Sequence, residues 1–246
     1  MTRVGDTVRR PVRSTTPSTR ALLDHLERVG FEGAPRFLGI DDQGREVLSY
    51  IPGQAAIAPY ADWALTDDAL ISVGQLLRAY HDAVASFDPS TYDWPPQVPT
   101  QFRGGLVSHN DPNLDNVIFE DGRAVGLIDF DLAGPGSAAW DLACCARLWA
   151  PLRAAGDTPA RARHRSLARL ALFAEAYGAS KEQRVGLVEA LVQCHDWCYT
   201  IVRNAVHSGH QAFGLYWHGG GAACAERTRR WLATRGPEMR IALGVG

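Results

Sequence analysis

Lysine is all but missing from this chain: of 25 basic residues only Lys181 is a lysine, and it opens a helical stretch late in the sequence. Any cation needed before that point must be an arginine or a histidine, which offer a planar fork or a ring instead of a compact ammonium. No apolar run approaches the roughly 20 residues that cross a bilayer. The opening Met1-Thr2-Arg3-Val4-Gly5-Asp6 has none of the apolar core of a secretory signal. These absences argue against a membrane partner and against export. The expected compartment is the cytoplasm, where five cysteines stay free thiols, and their odd number agrees. A net charge of −2 and a pI near 6.4 leave no basic footprint for nucleic acid.

Two further absences dispose of tempting chemistry. His218-Gly219-Gly220-Gly221 has the look of a hydrolase oxyanion loop, but no Gly-x-Ser-x-Gly elbow follows it. Cys194, His195 and Cys198, with His207, His210 and His218 downstream, suggest zinc, yet paired CxxC spacing is lacking and cysteines favour the core.

What is present is a soluble globular composition, 46% apolar and 21% charged, long enough for one large domain or two lobes. A short extended piece is predicted at Thr7-Val8-Arg9-Arg10, stopped by Pro11. A helix capped by Ser18 follows, with Ala21, Leu22, Leu23 and Leu26 on one face, ending near Gly30. Strands at 36–40 and 46–51 flank the turn signal Asp41-Asp42-Gln43-Gly44, and Pro52-Gly53 marks a hinge. Thr66-Asp67-Asp68 starts a helix carrying Leu70, Val73, Leu76, Leu77 and Tyr80 towards Phe87. Tyr92 to Pro99 reads as a surface connector. From Ala138 to Leu232 three or four helices are expected, with Leu167, Leu170, Ala171, Ala174 and Tyr177 on one stripe and Val185, Val188, Leu191 and Val192 on another.

The chemistry concentrates in Ser108-His109-Asn110-Asp111-Pro112-Asn113-Leu114-Asp115-Asn116 and in Leu127-Ile128-Asp129-Phe130-Asp131. Asp111 and Asn116 are five apart in one loop, and Asp129 lies 18 residues beyond Asp111. Between them, 116–119 and 124–128 bracket Glu120-Asp121-Gly122-Arg123, a hairpin signal that brings Asn116 and Asp129 to one end of a two-stranded ribbon. Phosphoryl transfer needs a group to orient a hydroxyl and hard oxygen ligands for magnesium. Asp111 suits the first task; Asn116 and Asp129, with Asp131 as an added carboxylate, suit the second.

On these motifs the chain resembles the aminoglycoside phosphotransferase and choline kinase group, relatives of protein kinases. His109-Asn110-Asp111 with Asn116 is similar to its catalytic loop, Ile128-Asp129-Phe130-Asp131 to its metal-binding segment, and Gly134-Pro135 through Trp140-Asp141-Leu142-Ala143 to the stretch that follows. Val47 to Gly53 resembles the strand and hinge that hold adenine, and Leu76-Leu77-Arg78-Ala79-Tyr80-His81 the helix before the loop. The likeness covers roughly residues 7–150. It implies an α+β, protein-kinase-like two-lobe fold, with a shortened N-terminal lobe over 1–53 and a mostly helical C-terminal lobe over 54–246. It also implies ATP and Mg2+ as cofactors and a small-molecule hydroxyl acceptor. Asp111 is then the catalytic base, Asn116, Asp129 and Asp131 metal ligands, and Arg10, Tyr50 and Ile51 nucleotide contacts, with His109 and Asp141 in support. The departures sit near the N-terminus. No glycine-rich hairpin is evident, Arg10 falls where relatives place a lysine, and Thr19 lies near the position of its glutamate partner, with Glu27 as a stand-in further along. They leave a second reading open, a pseudokinase-like binding or immunity protein without turnover. A start upstream of Met1 would also account for the missing hairpin.

Overall fold

The computed structural model describes residues 1–57, 60–94, 98–158 and 160–246. The chain opens with β1 (Thr2–Val4) and β2 (Thr7–Pro11), joined by a turn in which Gly5 takes a φ of 59°. The short β1 carries no hydrophobic alternation, which is why only its partner was legible. Helix α1 (Thr16–Arg28) starts two residues before the expected Ser18 cap. Thr15 is its N-cap and Pro17 occupies the first turn, where a missing N–H costs nothing. Leu22, Leu23 and Leu26 are buried as the periodicity requires. Strands β3 (Phe37–Ile40) and β4 (Arg45–Ser49) form the expected hairpin, with the Gly44 N–H donating to the Asp41 carbonyl at 2.9 Å. These four strands make one antiparallel sheet in the order β1-β2-β4-β3.

After Gly53 the chain changes partners. β5 (Gln54–Ala55) pairs with β7 (Val117–Glu120), which pairs with β8 (Arg123–Leu127). Gly53 has a φ of 129°, and a side chain there would run into the Phe119 carbonyl, so the crossing between the sheets is open to glycine alone. The β7–β8 turn holds Asp121 and Gly122 at positive φ, as an Asp-Gly hairpin demands. A third, two-stranded sheet joins β6 (Leu106–Ser108) to β9 (Gly134–Gly136).

Helix α2 (Asp67–Val84) is capped by the Thr66 side chain, which accepts the Ala69 N–H at 3.2 Å. It is followed by α3 (Ala138–Trp149), α4 (Ser166–Tyr177), α5 (Lys181–His207), α6 (Gln211–Tyr216), α7 (Ala222–Thr234) and α8 (Gly236–Ala242). That is more than the three or four helices expected, because short turns divide what reads as continuous helical sequence. Two stripes are also corrected. Helix α4 buries Leu170, Phe173, Ala174 and Tyr177, and α5 buries Leu187, Ala190, Leu191 and Cys194, so the valines of α5 lie beside the core and not in it. On α2, Gly74 lets α4 approach so closely that an added Cβ would sit 3.1 Å from the Phe173 carbonyl oxygen. Of the connector between Tyr92 and Pro99, residues 95–97 lie outside the described residues. Around it, Tyr92 stacks on Phe87 and Val98 is buried. One apolar core runs from the α1 leucines through α2 to α3, α4 and α5. Among the described residues no helix is long and apolar enough to cross a membrane.

Candidate active site

The loop after β6 is fastened from below by Asp141, a first-turn residue of α3. Its Oδ2 accepts the His109 N–H at 2.8 Å and its Oδ1 accepts the Asn110 N–H at 2.8 Å. The His81 Nε2, 2.9 Å from Oδ2, completes the shell, and His81 Nδ1 lies 2.8 Å from the Tyr177 hydroxyl. Burial alone would raise the Asp141 carboxyl, but the bonds and charges of His81 and His109 hold it below the usual range. His109 is fully buried and its pKa falls with desolvation. Its Nε2 donates to the Ile128 carbonyl at 3.1 Å while Nδ1 accepts the Asp111 N–H at 3.3 Å, so the neutral ring bridges loop and hairpin.

Sequence reasoning missed several members of this shell. Asn110 sits at a φ of 67°, donates from Nδ2 to the Leu132 carbonyl at 2.7 Å and accepts the Trp140 indole N–H at 3.1 Å. Trp149 Nε1 donates to the Pro112 carbonyl at 3.0 Å. Trp140 directly precedes Asp141 and Trp149 ends the same helix α3, and that closeness in sequence was the available signal.

Asp111 and Asn116 meet directly. The Asn116 amide donates to Asp111 Oδ2 at 3.0 Å and to the Asp111 carbonyl at 2.9 Å, and the Asn113 amide donates to Oδ1. With its amide nitrogen so committed, Asn116 presents its side-chain oxygen elsewhere. Burial pushes the Asp111 carboxyl up to about 7; Arg147 pulls it down, while Cys198, Asp115 and Asp129 push it further up. The Ile128 N–H donates to the Asn116 carbonyl at 2.9 Å, which sets Asp129 beside the loop as the hairpin register requires.

Asp129 adopts the left-handed conformation, φ 63° and ψ 65°, a costly geometry for a non-glycine residue. Its carboxyl is raised to about 6 by burial and by Asp131, against Arg10 and Arg13. Its Oδ1 is buried and accepts no hydrogen bond, although the Arg10 guanidinium is 3.6 Å away. A buried carboxylate oxygen without a donor is what a hard divalent cation binds. The residues present therefore fit magnesium.

Asp131, the added carboxylate, is held by two arginines in this structure. Its Oδ1 takes Arg10 Nη1 at 2.7 Å and its Oδ2 takes Arg13 Nη1 at 2.7 Å, so both oxygens are engaged by arginines. Arg10 is 4% exposed, and its Nε pairs with Glu46. Glu46 faces Arg10 across the β2–β4 ladder, and neither Thr19 nor Glu27 plays that part: Thr19 is buried within α1, and Glu27 lies outside, 3.8 Å from Arg36. At the hinge the Tyr50 N–H is taken by the Asp6 carbonyl at 2.9 Å, the Arg3 guanidinium stacks on the Tyr50 ring, and Ile51 packs against Gly126.

Arg147 and Cys198 lie close enough to act on the Asp111 charge, and Cys144 and Cys194 adjoin Cys198. Arg147 Nε is buried without a hydrogen-bond partner, and Cys194 Sγ lies 3.1 Å from Cys144 Sγ. Of the aromatic residues near the C-terminus, Tyr199 and Trp217 line a cavity of about 400 Å³ together with Asp196 and Arg229. Trp197 packs edge-on against Trp140, and Phe213 and Tyr216 are exposed. His195, once a zinc candidate, is bonded to the Ala225 carbonyl at 2.9 Å.

A small antiparallel sheet beside a helical body, with Asp111, Asn116 and Asp129 brought together on a loop and hairpin, defines a kinase-like phosphotransferase architecture. The chain belongs to the phosphotransferase enzyme family, the aminoglycoside phosphotransferase and choline kinase group, which residues 92–178 match. It is 33% identical over 205 residues to a trifolitoxin immunity protein of Rhizobium leguminosarum bv. trifolii, covering 78% of this chain and 75% of that protein. Its fold is similar to that of a choline/ethanolamine kinase family protein from Mesorhizobium loti, with a TM-score of 0.61 at 18% identity over 99% of this chain and 87% of the other. It is also similar to aminoglycoside 2'-phosphotransferase-IIIa in its GDP complex, with a TM-score of 0.56 at 11% identity over 88% and 82%.

Proposed function

We propose that the chain transfers the γ-phosphoryl group of ATP, with Mg2+, to a hydroxyl of a small molecule. The observation that carries this is the buried, donor-free Oδ1 of Asp129 beside the bonded Asp111–Asn116 pair. In this reading Asp111 aligns the acceptor hydroxyl and takes its proton, and the carboxyl raised to about 7 has the basicity for it near neutral pH. Asn116 and Asp129 hold the metal, which when bound neutralises charge on the phosphates. His109 and Asp141 fix the loop so that the Asp111 carboxylate does not wander. Residues 1–53, ending at the glycine crossing, act as the lobe over the nucleotide, with Tyr50 and Ile51 at the adenine, and 54–246 as the lobe that carries chemistry and acceptor. The free thiols agree with a cytoplasmic setting.

Calorimetric titration with ATP, with and without magnesium, beside Asp129→Ala tests the reading. Magnesium-dependent binding lost in the variant supports it, and product formation with any acceptor must vanish in Asp111→Ala while the protein stays folded.

A second reading, a binding or immunity protein that keeps the fold without turnover, is favoured by one feature: both Asp131 oxygens are already paired with arginines. The immunity protein among the relatives is consistent with it. Asp111-dependent turnover of any acceptor would end it.

A further inference from the structure

The two arginines on Asp131 are not equivalent. Arg10 is held on three sides, by Glu46, Asp131 and Asp129, and is 4% exposed. Turning it towards a ligand would leave the Glu46 carboxylate, 1% exposed, buried without a counter-charge. Arg13 is built the opposite way. Its backbone is pinned between β2 and α1, with its N–H donating to Thr16 Oγ1 at 2.9 Å and its carbonyl accepting the Thr16 N–H at 3.1 Å. Its side chain is 54% exposed and makes one ion pair, to Asp131 Oδ2. A half-exposed pair of this kind is worth little and is readily exchanged. No lysine precedes residue 181, so a side chain here that stays charged at every physiological pH has to be an arginine.

We propose that Arg13 is the residue that grips the nucleotide's polyphosphate, exchanging the Asp131 carboxylate for phosphate oxygens, while Arg10 remains a buried structural cation. The exchange does two things at once. It delivers a bidentate donor to the phosphates, and it frees an oxygen of Asp131 beside Asp129. The inference rests on the nucleotide-dependent reading above.

The test is calorimetric titration of the full chain with ATP and with adenosine, magnesium present, for the natural sequence, Arg13→Ala and Arg13→Lys. Arg13→Ala should weaken ATP about tenfold or more, leave adenosine unchanged and keep its melting temperature, with Arg13→Lys recovering part of the loss. A second arm uses inorganic tripolyphosphate in EDTA: Asp131→Asn should bind it more tightly than the natural chain, and the added Arg13→Ala should cancel that gain. If the natural chain binds ATP and Arg13→Ala binds it equally well, or loses adenosine and ATP alike, this inference fails and the phosphotransferase reading stands. If the natural chain binds no nucleotide, both fall.

Discussion

Arg10 and Glu46 stand directly opposite each other on β2 and β4, both nearly inaccessible to solvent, and they form an ion pair across the ladder. The partner of the cation thus comes from the neighbouring strand and not from helix α1. Because Arg10 also reaches Asp131, the pair joins the small sheet to the segment after the hairpin.

Removing the cation should be severe. Arg10→Met leaves Glu46 buried and uncompensated, and we expect a loss of about 3–5 kcal/mol in urea unfolding. Arg10→Lys should recover only part, since an ammonium cannot span Glu46 and Asp131 as a guanidinium does. Full stability in Arg10→Met would show that the ion pair is dispensable.

Asp111 links pH to both rate and stability. Its folded carboxyl is raised to about 7 from an ordinary value of 3.8, so between those values the folded chain keeps a proton that the unfolded chain has released. Stability from this group is therefore intact at low pH and declines as pH rises to about 7. Asp111→Asn should raise unfolding free energy at pH 8 by about 2–4 kcal/mol and change it little at pH 4. Turnover should instead fall as pH drops through about 7. A variant no more stable at pH 8 would show that the carboxyl is not raised.

Asp141→Ala removes the acceptor of two buried loop N–H groups and of His81. Each orphaned donor costs about 1–3 kcal/mol, so a drop of several kcal/mol is expected, together with faster amide exchange at His109 and Asn110. Exchange at the natural rate would mean that the loop holds itself.

Among the five thiols, Cys198 should react first with iodoacetamide near pH 7. The Cys144 and Cys194 hydrogen bonds and the nearby Arg147 charge hold its thiol well below the ordinary value, while burial raises Cys144, Cys145 and Cys194. Peptide mapping by mass spectrometry reads this directly, and preferential labelling of Cys224 would contradict it.

Most of the site was legible because it is local: Asp111, Asn116 and Asp129 lie within one loop and one hairpin, and an Asp-Gly turn sets their approach without long-range help. Thr66 likewise declared the start of α2. What escaped was decided across the chain. Glu46 partners Arg10 through strand register, 36 residues away, and nothing near either residue signals it. The buried face of α5 was misplaced because its β-branched residues outnumber the small ones that lie against α3: Gly186 brings the helices so close that an added Cβ would meet Ala139 at 2.9 Å. The double engagement of Asp131 depends on where the loop after β2 folds, which a five-residue strand does not reveal.

Two of the seven tryptophans, Trp140 and Trp149, hydrogen-bond to the loop that carries Asp111, one through the Asn110 side chain and the other through the Pro112 carbonyl. Indole emission responds to its hydrogen-bond partner. The protein therefore contains its own optical reporter, and a titration cuvette can follow a shift of this loop by intrinsic fluorescence with no label attached.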